Sequence, residues 1–150
     1  MADREPPEQT TPPKIGVGAV IWRGDELLLI QRGQAPLKGE WSIPGGKQES
    51  GETVMAALLR EILEETGLTV AVLGLIDVVD AILRDTEGRL AQHYTLIDFS
   101  ARWVSGTAVA GGDAAEVLWV RLAELPRFVL WSETQRIIEL SARMHGPLAL

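Results

Sequence analysis

Residues 14–23 read KIGVGAVIWR, a run of valine, isoleucine and glycine that predicts a β-strand. Gly24-Asp25 is a turn signal, and residues 26–32 (ELLLIQR) predict a second strand, so the two form a hairpin. Residues 33–40 read as a loop. A short strand follows over 41–43, ended by Pro44-Gly45-Gly46. Residues 53–66 predict a helix from good helix formers, with apolar side chains spaced by four at Val54, Leu58 and Ile62 and again at Leu59 and Leu63. Gly67 supplies the left-handed position that stops it.

Residues 68–80 and 92–104 are β-rich, and the polar stretch 83–90 between them predicts a turn. Residues 110–115 form a small-residue loop and 117–120 a short strand. A last helix is expected over 132–144, where Ser132 and Gln135 make a capping-box pattern ahead of Ile137, Ile138, Leu140 and Met144. Strands, a helix, strands and a helix predict an α/β protein with a mixed sheet covered by helices.

Composition narrows the picture. A length of 150 residues suits one domain, and 46% hydrophobic with 23% charged residues excludes wholesale disorder. There is no cysteine, which excludes disulfides, thiolate zinc sites and cysteine nucleophiles and suits a reducing, cytoplasmic setting. Residues 1–13 hold four of the eight prolines and no apolar signal core, so a flexible N-terminal tail is expected ahead of a domain over 14–150. No apolar run is long enough to span a bilayer, so no membrane partner is expected. The net charge of −7 argues against an extended nucleic acid as partner but admits a small anionic substrate whose contact is mediated by divalent metal.

The chemistry concentrates in residues 46–68, GKQESGETVMAALLREILEETGL. Glu61, Glu64 and Glu65 stand at i, i+3 and i+4, which puts three carboxylates on one helix face. They repel one another unless a cation neutralises them, and oxygen ligands suit Mg²⁺ or Mn²⁺. Arg60 stands beside the acids and can hold one in place. Gly45-Gly46 permits close approach of backbone to a ligand, and a carbonyl there can complete a metal's coordination. An E-x-x-E-E alone is usually a solvated face. Here Gly46, Glu52, Arg60, Glu61, Ile62, Glu64, Glu65, Gly67 and Leu68 match every fixed position of G-x5-E-x7-R-E-U-x-E-E-x-G-U, where U is a bulky aliphatic residue. At roughly 6% per single-letter position, chance produces that match at about 10⁻⁸ to 10⁻⁹ per starting point.

This pattern is the Nudix box, and the chain resembles the Nudix hydrolase family over about residues 14 to 140, most closely an ADP-ribose pyrophosphatase-like, MutT-related branch. The resemblance implies the Nudix fold, an α/β/α sandwich with a mixed β-sheet and a catalytic loop-helix-loop. It implies metal-dependent hydrolysis of the pyrophosphate bond in a nucleoside diphosphate linked to another moiety, ADP-ribose or a related nucleotide sugar first. The cofactor expected is Mg²⁺, with Mn²⁺ as substitute. Metal ligands are expected at Glu61, Glu64, Glu65 and the Gly46 carbonyl, with Glu52 and Arg60 acting through them. The general base is open among Glu61, Glu64, Asp113 and Glu116.

Arg32, Trp41 and His93 are the substrate-binding candidates. Packing is the competing reading for Trp41 and His93, as it is for Trp131, another aromatic able to stack on a base. Lys38 is a further, default-solvated cation near the phosphates. One group of ADP-ribose hydrolases carries a proline about sixteen residues beyond the box. Here Leu83-Arg84-Asp85 stand in that neighbourhood. Two alternatives remain: a MutT-like nucleoside triphosphate pyrophosphohydrolase, acting on a canonical or oxidised nucleotide, and a non-catalytic nucleotide-sensing Nudix module. The partner expected is a small nucleotide, and a homodimer is left open.

Overall fold

A computed structural model describes residues 12–34 and 37–146. The tail expected over 1–13 falls outside these, save for its exposed last two residues. In order the elements are β1 (Lys14–Arg23), β2 (Glu26–Arg32), β3 (Trp41–Ser42), β4 (Gly45–Lys47), α1 (Val54–Thr66), β5 (Thr69–Arg84), β6 (Leu90–Ser105), β7 (Ala114–Arg121), a 3₁₀ turn (Leu122–Arg127) and α2 (Ser132–His145). The sheet runs β3-β2-β1-β6-β5, with β4 also on β1 and β7 on β2. β1 and β6 are parallel and the other pairs antiparallel, so the sheet is mixed as expected.

β1 is apolar along its length because both its faces are covered. Val17, Ala19 and Ile21 pack with Ala57, Leu58 and Ile62 of α1, while Val20 and Trp22 pack with Ile137, Ile138 and Ala142 of α2. Fully burying such an aliphatic side chain is worth about 1.5–3 kcal/mol, so these two layers hold one helix on each side of the sheet. Three buried polar groups join the α2 layer: Trp22 Nε1 donates to Ser141 Oγ at 2.9 Å, and Ser141 Oγ lies 2.6 Å from Ser100 Oγ.

The β1–β2 hairpin forms, but its partners are paired only at Trp22↔Leu27 and Arg23↔Glu26. Beyond that the strands diverge and the segment 41–47 wedges between them, β3 on β2 and β4 on β1. This corrects the expectation that Pro44-Gly45-Gly46 merely ends a strand. Pro44 needs no donor there, since its carbonyl accepts from Ala19 N–H at 3.0 Å. At Gly45 a Cβ would collide with the Val17 carbonyl, so only glycine lets β4 lie this close.

α1 stops at Gly67 as its sequence suggests, and Thr53, read as its first residue, is its N-cap. Thr53 Oγ1 accepts from Ala56 N–H at 3.0 Å, and Gly67, at φ 75°, donates its N–H to Leu63 O. Only one of its two apolar rows is buried, since Leu59 and Leu63 are exposed. At α2 the expected capping box is absent. Ser132 is the first helical residue, Trp131 takes the cap position, and no side chain bonds the free N–H groups there. The hairpin β5–β6 is longer than its apolar runs suggested and bulges between Val72 and Gly74 and between Leu75 and Asp77. No described helix is long and apolar enough to cross a membrane.

Candidate active site

The wedge between β1 and β2 opens a groove of about 730 Å³. The acids of α1 stand at one end, and the α2 face of the sheet forms the other. Arg60 organises the acidic end. It forks onto Glu52 through Nε and Nη2, both at 2.7 Å, and reaches Glu61 Oε1 at 2.8 Å and Glu64 Oε2 at 3.2 Å through Nη1. Nη2 also donates to the Lys47 carbonyl at 3.0 Å, which ties α1 to β4. Glu52 accepts from Glu49 N–H at 2.9 Å. The Arg60 hydrogen bonds first, and that backbone bond second, hold the Glu52 carboxyl down at about 2. Glu52 thus fixes the arginine and the loop ahead of α1.

Glu65 is the most enclosed of the three. Its Oε1 accepts from Gly45 N–H at 3.0 Å. Burial pushes its carboxyl up to about 7, against the pull of that hydrogen bond, while Glu61 and Asp113 push in the same direction as burial and Arg32 opposes them. Glu61 lies over β4 so closely that a Cβ on Gly46 would meet its carboxylate. Among the described residues no three acid or histidine side chains already converge as a cation cage. The hydrogen bonds show why: Glu61 and Glu64 each lend an oxygen to Arg60, and Glu65 lends one to Gly45. The donor chemistry nonetheless fits a hard divalent cation. Three carboxylates stand together on one helix, two of them sharing a single arginine and the third buried and pushed toward its neutral form, and the two glycines of β4 face them with bare backbone.

The loop after β6 is laid on the end of α1 by Val109 N–H to Thr66 O and Gly111 N–H to Glu65 O, both 2.9 Å. A Cβ at Gly111 would strike the Glu64 carbonyl, so this approach also requires glycine. The loop carries Asp113 to the groove, where its field reaches Glu65. Arg32, at the exposed end of β2, lines the groove too. Trp41 lines it with its ring edge-on to Phe128, centroids 5.1 Å apart. Trp131, the other aromatic able to stack on a base, is also a wall of the groove.

Other candidates stand apart. Glu116 is on β7 opposite Gln31, exposed and outside the groove lining. His93 is half-buried on β6 and lies between Gln92 and Tyr94, which do line the groove, so strand alternation turns it to the other face. Lys38 is exposed and does not line the groove.

One groove residue carries no motif. Asp98 of β6 is only 6% exposed, and burial first, then Asp77, pushes its carboxyl up to about 7 against the pull of Arg136. Its signal in the chain is a lone acid inside the apolar run of β6.

Comparison with known proteins agrees with this geometry. A model of the NUDIX domain matches residues 12–141. An ADP-ribose pyrophosphatase of Methanocaldococcus jannaschii is 37% identical over 115 residues, 77% of this chain and 66% of that one. A Mycobacterium tuberculosis protein described as putative 8-oxo-dGTP diphosphatase 2 is 37% identical over 141 residues, 91% of this chain and 94% of that one. The crystal structure of a MutT NUDIX hydrolase from Burkholderia pseudomallei superposes with a TM-score of 0.76 at 33% identity, covering 87% of this chain and 98% of its own. The chain therefore belongs to the Nudix family and is a Nudix hydrolase, an enzyme for nucleoside diphosphate derivatives.

Proposed function

We propose that the enzyme hydrolyses the pyrophosphate bond of ADP-ribose or a related nucleotide sugar with Mg²⁺. The observation that carries this reading is one groove with two unlike ends. Carboxylates cluster at the first, and beyond β4 the lining turns apolar and aromatic, with Trp41, Tyr94 and Trp131. A diphosphate with a group on each side needs such room. Nudix hydrolases generally require a divalent metal ion, and Glu61, Glu64, Glu65 and the Gly46 carbonyl are the groups to hold it here. When bound, Mg²⁺ neutralises phosphate charge and lowers the pKa of a water. The protein supplies the rest: Arg60 and Glu52 keep Glu61 and Glu64 in place, Arg32 meets phosphate at the groove edge, and Asp113 takes the proton of the attacking water.

The last role separates two acids that the sequence leaves equivalent. Asp113 lines the groove and Glu116 does not. Asp113→Asn is expected to lower kcat by about 10²-fold or more, whereas Glu116→Gln leaves it within a few-fold. Equal, negligible losses would put the base within the box.

A second reading is favoured by the mycobacterial relative, which matches more of the chain at the same identity. It is a MutT-like release of pyrophosphate from a nucleoside triphosphate. The reading as a non-catalytic sensor gives way to the hydrolase assignment. A product-resolved screen with Mg²⁺ and Mn²⁺ decides between the two hydrolases. AMP and ribose 5-phosphate from ADP-ribose support the first reading. Preferential pyrophosphate release from a normal or oxidised triphosphate overturns it in favour of the second.

A further inference from the structure

The α2 end of the groove holds a polar group that the acidic end does not use. Asp98 is 94% buried by its 6% exposure, yet among the described residues it has no hydrogen-bond or ion-pair partner. Its strand neighbour Asp77 is occupied, accepting from Arg136 Nη1 at 3.0 Å and from Val78 N–H at 2.8 Å. Arg136 in turn is held by Glu133 at 2.6 Å. Asp77 of β5 and Arg136 of α2 are thus paired off, and β1 offers Asp98 only Gly18. That glycine makes the room: a Cβ there would lie 2.7 Å from Asp98 Oδ1. The chain therefore gives up a side chain on its central strand to keep a largely buried carboxyl that bonds no described protein group and opens onto the groove. Buried polar groups are normally paired, so an orphan facing a groove marks a place for a ligand atom.

The ligand's nature follows from what surrounds it. Asp98 shares the groove with Tyr94, Leu96 and Trp131, whose flat and apolar surfaces suit a ring. It is also in register with the acidic end. Asp98 pairs with Gly18 of β1, Gly18 pairs with Gly45 of β4, and Gly45 N–H bonds Glu65. Two strand spacings, about 10 Å, separate the backbones of β6 and β4, leaving space for a sugar between a phosphate and a base.

We infer that Asp98 is the specificity-determining residue that reads the hydrogen-bonding edge of the substrate's base, an adenine edge with its exocyclic N–H beside a ring nitrogen. A carboxyl accepts in either protonation state and donates as well when protonated, so it can answer both atoms of that edge. This inference rests on the nucleotide-sugar reading above for the identity of the base.

The test is binding rather than turnover. Affinities of AMP, ribose 5-phosphate and purine riboside 5′-monophosphate, which lacks the exocyclic amine, are measured in EDTA by tryptophan fluorescence. The wild type is expected to bind AMP about tenfold or more tighter than the amine-less analogue. Asp98→Ala is expected to lose that preference and leave ribose 5-phosphate unchanged. Asp98→Asn, which keeps a donor and an acceptor, is expected to retain it within a few-fold. Removing a carboxyl that bonds no described protein group is not expected to lower the melting temperature. The wild-type comparison stands even where a variant fails to fold. Equal binding of AMP and its amine-less analogue by the wild type overturns the inference, as does an equal loss of AMP and ribose 5-phosphate in Asp98→Ala. Undetectable AMP binding alongside intact ADP-ribose hydrolysis also overturns it and leaves the proposed reaction standing. Failure of ADP-ribose hydrolysis in the screen strikes that reading instead.

Discussion

Glu64→Gln is expected to reduce kcat at saturating Mg²⁺ by about 10³-fold, the scale of several kcal/mol of lost charge stabilisation, while the melting temperature stays at the wild-type value. Both halves follow from where the side chain stands. It is 57% exposed, and its ion pair is one 3.2 Å contact to Arg60 at i,i+4 spacing. Exposed pairs of that kind contribute little to stability. Arg60 also keeps its fork on Glu52 and its bond to Glu61 when Glu64 is gone. A large loss of activity in a protein that melts normally therefore reports a function for the carboxylate and not a scaffold for the helix. The check is kcat over a Mg²⁺ titration beside a thermal melt. Near-wild-type turnover at saturating metal would remove Glu64 from the ligand set.

The box helix was legible because local rules agree there. Its stop at Gly67, the apolar row through Leu58 and Ile62 and the acids on another face are all encoded within a few turns. The succession of strands and helices was legible for the same reason, whereas a helix on each side of the sheet came with the Nudix resemblance. What escaped depends on groups distant in sequence. β4 reads as a turn because Pro-Gly-Gly is turn chemistry, and only the approach to Val17 explains why those glycines lie in a strand. Leu59 and Leu63 have the spacing of a buried row, yet the sheet covers only the other side of α1. Ser132 and Gln135 have a capping pattern, but the chain turns into α2 one residue earlier, at Trp131. Asp98 has no local pattern at all. Its isolation comes from Gly18, 80 positions away, and from the prior claim of Arg136 on Asp77.

The same dependence on distant backbone makes Gly46 the sharpest single test of the acidic end. Its Cα lies against the Glu61 side chain, and a Cβ there would occupy the space of Oε2, Cδ and Cγ. Glu61 has little freedom to yield, because its other oxygen is held at 2.8 Å by Arg60 and Arg60 is itself held by Glu52 and the Lys47 carbonyl. Two responses are open to Gly46→Ala. Either the carboxylate swings off and breaks its bond to Arg60, or β4 moves away from α1 and carries the Gly46 carbonyl and the Gly45 N–H with it. Both displace a proposed metal ligand, and misplacement of about 1 Å costs about 10²-fold in rate. Gly46→Ala is therefore expected to lower kcat by at least that factor and to raise the Mg²⁺ concentration needed for half-maximal rate. Gly24→Ala supplies the control, a β1–β2 turn glycine at φ 59° with nothing within 4 Å of an added Cβ. It carries backbone strain without touching the groove, so it should lower the melting temperature and spare the metal dependence. Unchanged kcat and metal dependence in Gly46→Ala would show that Glu61 and β4 are free to separate, and would take the Gly46 carbonyl and Glu61 out of the proposed ligand set together.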